Sequence, residues 1–300
     1  MITPTEHAQL SCPRKAVCSM QRVFLSALWL LFGLLALRPA WAGEAPPLVL
    51  GVFPNTTAKQ IVETYRPLAN ALEKTLRRRV EIYSAPNFKS FVERTRQGEY
   101  DLLLTAPHFA WLARQDAGYQ PLLKYTEPVR GMLVIKSSST YRDVAALRGR
   151  TIAIADPLAL IALALQAELA EDGLKHGIDY QTINSGTHIN AALQVVNGRA
   201  DAAMVGQNAY MQFPPELRKQ LHVILETPPL SSQTYLTHPR LREAEVQTIR
   251  KTLLQFAATP EGHAFLKKGG FGGFSPLNSN ELNAFRPYAL PTQKMLQDMQ

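Results

Sequence analysis

Cysteine is almost missing from this chain of 300 residues: only Cys12 and Cys18 occur, and both precede the one long apolar run. If that run is a removable leader, the remaining chain has no thiol. Disulfide scaffolding, cysteine metal sites and a cysteine nucleophile are then excluded together. Charged side chains are also modest in number, at 19%, against 46% apolar residues. That balance excludes charge-driven disorder and describes a chain able to build a core. The short motifs that carry chemistry are absent as well: there is no Walker A loop, no Gly-x-Ser-x-Gly and no His-Glu-x-x-His. Histidines 108, 176, 188, 222, 238 and 263 lack metal-pair spacing, and the carboxylates are scattered. No catalytic residue, metal or cofactor is expected, and the chain reads as a non-enzyme.

Val23 to Leu37 is a nearly unbroken apolar run, preceded by Arg22 and followed by Arg-Pro-Ala-Trp-Ala-Gly. Ala40 and Ala42 satisfy a small-x-small cleavage rule, so residues 1–42 read as a secretory signal peptide and the rest as an exported protein. The run is short for a membrane span of about 20 residues. Removing the leader leaves 28 basic against 23 acidic side chains, a net +5 where the whole chain carries +8. Such a mild surplus gives no nucleic-acid patch; Arg77-Arg78-Arg79 reads as a solvated helix end. A weak positive field favours small anions.

Beyond the leader, strand-like and helix-like runs alternate. Strands are expected at Pro47–Phe53, Val80–Tyr83, Asp101–Thr105, Gly131–Ile135, Thr151–Ala155, Tyr180–Ile183, Ala200–Val205 and Leu221–Leu225. Ile61, Tyr65, Leu68, Leu72 and Leu76 mark a helix over Thr56 to Arg78, and Asn87 caps another ending near Gly98. Thr187 or Ser185 caps a helix over Ile189 to Val196. From Glu243 the chain turns mostly helical, with a flexible Gly-rich break at Gly269–Gly273. This is the pattern of parallel sheets covered by helices on both faces. Val80–Thr105 and Tyr180–Val205 also repeat without a gap at a spacing of 100 residues, Gly98 and Asp101 matching Gly198 and Asp201. Two similar α/β lobes follow, with a ligand cleft where strand C-termini and helix N-termini face each other.

The blocks LVLGVFPNTT, GEYDLLLTAPHF, LRGRTIAIADP, SGTHINAALQVVNGRADAAMVGQNAY and PPLSSQTYLTHPRL, in this order, resemble the periplasmic solute-binding proteins of phosphonate/phosphite ABC transporters. The resemblance implies an α/β, two-lobed type II periplasmic-binding fold, each lobe a mixed, mostly parallel sheet flanked by helices. Lobe one would be 44–133 plus 232–300, and lobe two 134–231. It implies a monomer that binds a small polar or anionic ligand and presents it to an inner-membrane permease. The alternative is a sensing module that signals through a membrane receptor kinase or cyclase. In the family the Asp-Pro pair is followed by a Ser/Thr-rich helix start that holds the oxyanion. Here Asp156-Pro157 is followed by Leu158-Ala159-Leu160-Ile161-Ala162, and the hydroxyls are gone.

The expected cleft is nonetheless polar. Thr187, His188 and Asn190 sit at a helix start, His188 matching a family turn; it donates to an anion or serves the local cap. Thr105 and His108 end a strand, and Asn55 and Thr56 follow the first one as ligand contacts or N-caps. Tyr125 and Arg130 precede a crossing strand, where Arg130 is either a bidentate anion contact or a surface residue. Asp156 completes the Asp-Pro turn. Gln207, with Asn208 and Tyr210, reads a polar, uncharged group.

Overall fold

The computed structural model describes residues 45–299; the expected leader, residues 1–42, lies outside them. The chain opens with β1 (Leu48–Val52), α1 (Ala58–Leu76), β2 (Val80–Tyr83), α2 (Phe88–Arg96), β3 (Leu102–Thr105), α3 (Pro107–Ala117) and β4 (Gln120–Tyr125). It crosses to β5 (Gly131–Lys136), a 3-10 turn at Ala145–Leu147, β6 (Arg150–Ile154), α4 (Leu160–Glu171), β7 (Tyr180–Asn184) and α5 (His188–Val196). Then come β8 (Ala202–Gly206), α6 (Gln207–Gln212), α7 (Pro215–Arg218) and β9 (Leu221–Glu226). The chain returns through β10 (Thr234–Thr237), α8 (Glu243–Ala257), α9 (Pro260–Gly269), β11 (Phe274–Pro276), α10 (Ser279–Asn283) and α11 (Arg286–Asp298).

These strands make two sheets, one ordered β11-β4-β10-β3-β1-β2 and the other β7-β6-β8-β5-β9. In the first, β1 to β4 run one way and β10 and β11 the other. In the second, only β5 opposes the rest. Aligned, the two sheets share one plan, with β2-β1-β3-β10-β4 matching β7-β6-β8-β5-β9. The 100-residue repeat has a physical basis in this plan. Gly98 and Gly198 both take φ of 70°, a left-handed conformation that glycine adopts without a Cβ penalty. The aspartate three residues on does the same work in each half. Asp101 Oδ2 accepts the Val49 amide at 2.8 Å, and Asp201 Oδ2 accepts the Thr151 amide at 3.0 Å. Each carboxylate thus ties the neighbouring parallel strand, β1 or β6, to the helix-to-strand turn beside it.

Both faces of each sheet are buried, which explains the continuous apolar strands. Leu48, Leu50, Leu102 and Leu104 pack under α1 and α8, with Ile61, Leu68, Leu72, Ile249 and Leu253. Leu103 and Leu236 face α2, α3 and α11. In the second sheet Val134, Ala203 and Val205 lie under α5, and Ile135, Ile152 and Met204 under α4. Helix α1 starts at Ala58, two residues later than expected. Its cap is Thr57, accepting the Gln60 amide at 3.3 Å, rather than Asn55 or Thr56. Asn87 and Thr187 cap α2 and α5. The sequence reading missed β4, β10 and β11. The boundary drawn at residue 133 falls inside β5, all of which pairs in the second sheet.

Candidate functional site

Two segments cross between the sheets, residues 126–130 and 227–233. Val129 and Leu230 pair across them, exchanging hydrogen bonds of 3.0 and 2.9 Å. Beside this crossing, Thr234 of β10 pairs with Thr105, the last residue of β3. On the other side Gly131 of β5 pairs with Gly206, the last residue of β8. The C-terminal ends of the parallel strands in both sheets therefore meet at one seam, where the helix N-termini that follow them also converge.

His108 and Leu158 join the two halves directly. His108 lies in the first turn of α3 and is fully buried. Its Nε2 is 2.9 Å from the carbonyl oxygen of Leu158, in the loop after β6. A ring nitrogen facing a carbonyl must carry the proton, so the neutral imidazole is the Nε2–H tautomer and Nδ1 offers a lone pair. That Nδ1 has no partner. Burial pulls the His108 pKa down to about 4, against a smaller opposing pull from the Leu158 carbonyl. The Leu158 side chain is 2% exposed and packs with Phe53, Ala106 and Phe109 of the first half. Pro157 and an Asx turn, Leu158 amide to Asp156 Oδ1 at 2.8 Å, delay the helix and let Leu158 reach across. Burial raises the Asp156 pKa, and the Leu158 amide partly offsets it.

His188 is the counterpart on the second half. It opens α5, with the Thr187 hydroxyl accepting the Asn190 amide at 3.2 Å behind it. Its Nδ1 is buried and unpartnered. The Met204 backbone lies beside the ring, and a Cβ built on Gly206 would come 3.6 Å from Nε2. Desolvation pulls this ring, too, down to about 4. Each half thus brings one histidine with a buried, unpartnered Nδ1 to the strand ends.

The remaining candidates separate by position. Arg130 sits on the crossing and braces it: Nη1 donates to the Thr227 carbonyl at 3.3 Å, and its own carbonyl accepts the Gln207 amide at 2.9 Å. Gln207 is half-buried at the start of α6. Asn55, Thr56, Thr187 and Asn190 are exposed. The Thr56 hydroxyl bonds to Gln60 Oε1, and Asn190 Nδ2 donates to the Ser185 carbonyl at 3.1 Å.

Two candidates do not face the seam. Strand alternation turns Thr105 toward α2 and α3, where its unpartnered hydroxyl borders a cavity of about 10 Å³ beside Phe91, Leu103 and Phe109. Tyr125 is a core residue, its ring stacked on Phe271 at 4.1 Å and its hydroxyl 2.6 Å from that of Tyr235.

Sequence reasoning missed the open groove between the halves. It has a volume of about 420 Å³ and is lined by Glu127, Asn208, His263, Leu266, Lys267, Gly270 and Gly272. His263 and Lys267 stand four apart on α9, and so share a face. Gly270, with φ of 63°, passes close enough that a Cβ there would be 3.6 Å from Asn208 Nδ2. The Gly-rich stretch read as a flexible loop is therefore one wall of this groove. Among the described residues, no group of three or more His, Cys, Asp or Glu side chains is placed to hold a metal ion.

A family model described as "ABC transporter, phosphonate, periplasmic substrate-binding protein" matches residues 50–282. Among solved structures, PhnD1 from Prochlorococcus marinus in complex with methylphosphonate superposes with a TM-score of 0.75 at 14% identity, over 82% of this chain and 98% of that one. A binding-protein component of an ABC phosphonate transporter from Pseudomonas aeruginosa gives 0.73 at 16% identity, over 83% and 87%. The aliphatic sulphonate-binding protein SsuA from Escherichia coli gives 0.59 at 17%, over 83% and 87%.

Proposed function

Because this chain belongs to the family of periplasmic substrate-binding proteins of phosphonate ABC transporters, we propose that its two sheets are the cores of two hinged lobes that clamp a small oxyanion and deliver it to a membrane permease. Lobe one comprises about residues 46–130 and 228–299, and lobe two 131–227, with the hinge at the Val129–Leu230 bridge. The protein works outside the cytoplasm after its leader is removed. The family match is to transport components, which favours a permease over a receptor kinase or cyclase as the partner. PhnD1, which binds methylphosphonate, shares this fold.

The observation that carries the ligand reading is the pair of unpartnered Nδ1 atoms, His108 from one half and His188 from the other. Buried polar atoms are normally hydrogen-bonded, and a solute held between the lobes would supply both partners at once. Gln207 and the first-turn backbone amides of α4 add donors for anionic oxygens. Asn55, Thr56, Thr187 and Asn190 stand at the rim and contribute through their caps and loops. Arg130 adds positive charge while holding the crossing strands.

His108 Nδ1 is an acceptor at neutral pH, so the solute must bring it a donor. A singly protonated phosphonate has one P–O–H; a sulfonate has none. Titration calorimetry with methylphosphonate, phosphite, phosphate, methanesulfonate and acetate tests the reading. Methylphosphonate is expected to bind at least tenfold more tightly than methanesulfonate, a difference of about 1.4 kcal/mol. Absence of heat with every anion would remove the solute-binding reading.

A further inference from the structure

We propose that Leu158 is a built-in latch, holding the two halves closed without solute and occupying the seam in the solute's stead. The inference rests on the solute-clamp reading above, and it concerns a different state of the protein, the one before solute arrives. Three observations carry it. The side chain belongs to the second half by sequence, following β6, yet it is buried among Phe53, Ala106 and Phe109 of the first. Its own carbonyl accepts the hydrogen bond of the fully buried His108. The same five-residue segment is fixed from behind by the Asx turn onto Asp156. One residue therefore makes both an apolar and a polar contact across the seam, on a turn that cannot swing freely.

Further contacts close the two ends of the seam. Helix α11 touches α4, where burial, aided by the Glu168 and Glu171 charges, raises the pKa of Tyr288. On the groove side, Gly270 approaches Asn208. None of these contacts is a buried side chain crossing from one core into the other, as Leu158 is.

The consequence is quantitative. A solute that needs the space of the Leu158 side chain must first withdraw the latch. Its apparent affinity is then reduced by the fraction of molecules already open. Removing a fully buried leucine side chain shifts such an equilibrium by roughly ten- to a hundredfold, about 1.4–2.7 kcal/mol. The residue at position 158 thus sets affinity through a closed resting state, and a small side chain there would give a tighter but more open protein.

Small-angle X-ray scattering of the solute-free protein tests this directly, comparing wild type with Leu158→Ala and with Leu158→Met as a volume-conserving control. Wild type and Leu158→Met are expected to share one radius of gyration, Leu158→Ala to be larger. Methylphosphonate should contract Leu158→Ala and bind it at least tenfold more tightly than wild type. A solute-free wild type as expanded as Leu158→Ala overturns the latch, as does a Leu158→Ala protein that melts cooperatively and stays compact. Unchanged or weaker methylphosphonate binding by Leu158→Ala overturns the claim that Leu158 stands in for solute. If methylphosphonate binds no variant while the scattering follows expectation, the solute reading fails and the latch stands.

Discussion

Acid should unfold this protein partly through His108, and the size of the effect follows from its burial. In the unfolded chain the ring titrates near 6.5, whereas in the fold it is pulled down to about 4. Between those values the unfolded chain binds more protons, so stability rises with pH across the window and falls as acid is added. The stabilisation is complete above about 6.5 and gone below about 4. From pH 7 to pH 5, His108 alone then accounts for a loss of about 2 kcal/mol. His188 shifts in the same direction. Asp156 runs the other way, since burial raises its pKa and makes the folded protein take up a proton first.

The comparison that isolates His108 is His108→Gln. Its side-chain amide can still donate to the Leu158 carbonyl and has nothing to titrate. Urea melts at pH 7, 6 and 5 give the stability of each protein through the linear dependence on denaturant. Wild type is expected to lose about 2 kcal/mol more than the variant over that range, with His188 and Asp156 common to both. Parallel pH profiles would refute the reasoning, because they would mean that the ring titrates in the fold as it does in the unfolded chain.

Three other outcomes follow from the placements. Thr105→Val should raise stability by about 1 kcal/mol, because it removes a buried hydroxyl without a partner, and should leave methylphosphonate affinity unchanged in calorimetry. Tyr125→Phe should cost about 1 kcal/mol for the lost bond to Tyr235, again with affinity unchanged. Asp101→Ala should cost about 1–3 kcal/mol in urea melts, since it strands the Val49 amide, while the half-exposed Arg240, which donates to Oδ1 at 2.6 Å, is left to solvent. Asp201→Ala should cost less, because its side chain is 28% exposed where that of Asp101 is 7%.

The fold was legible where residues repeat or alternate. Eight strands announced themselves as apolar runs because both faces of each sheet are covered, and the 100-residue repeat appeared because two glycine caps and two aspartates perform one task twice. The strands that escaped lack such a signal. β10 is four residues long and two of them are threonines, β11 is Phe-Ser-Pro, and β4 carries Pro121 and Lys124. Their pairing is decided by neighbours that sit more than a hundred positions away for β10 and β11, which no local window contains.

The seam was harder to read, because direction matters there as much as identity. Thr105 and His108 are three residues apart, yet one turns into the α2–α3 layer and the other reaches the second half. His108 was named as a candidate for its polarity, whereas its neutral tautomer is fixed by a carbonyl fifty residues away. Leu158 is the sharpest case. In the sequence it opens the run Leu-Ala-Leu-Ile-Ala and reads as the first residue of an apolar helix. In the structure the helix starts at Leu160, and the turn at Asp156-Pro157 holds Leu158 outside it. An apolar residue there, where the resembling family has hydroxyls, looks like a loss when only the oxyanion is considered. Its burial among Phe53, Ala106 and Phe109 gives that leucine a role of its own. The same substitution that weakens the helix start as an anion site strengthens the contact between the halves, so affinity and resting shape are set by one position.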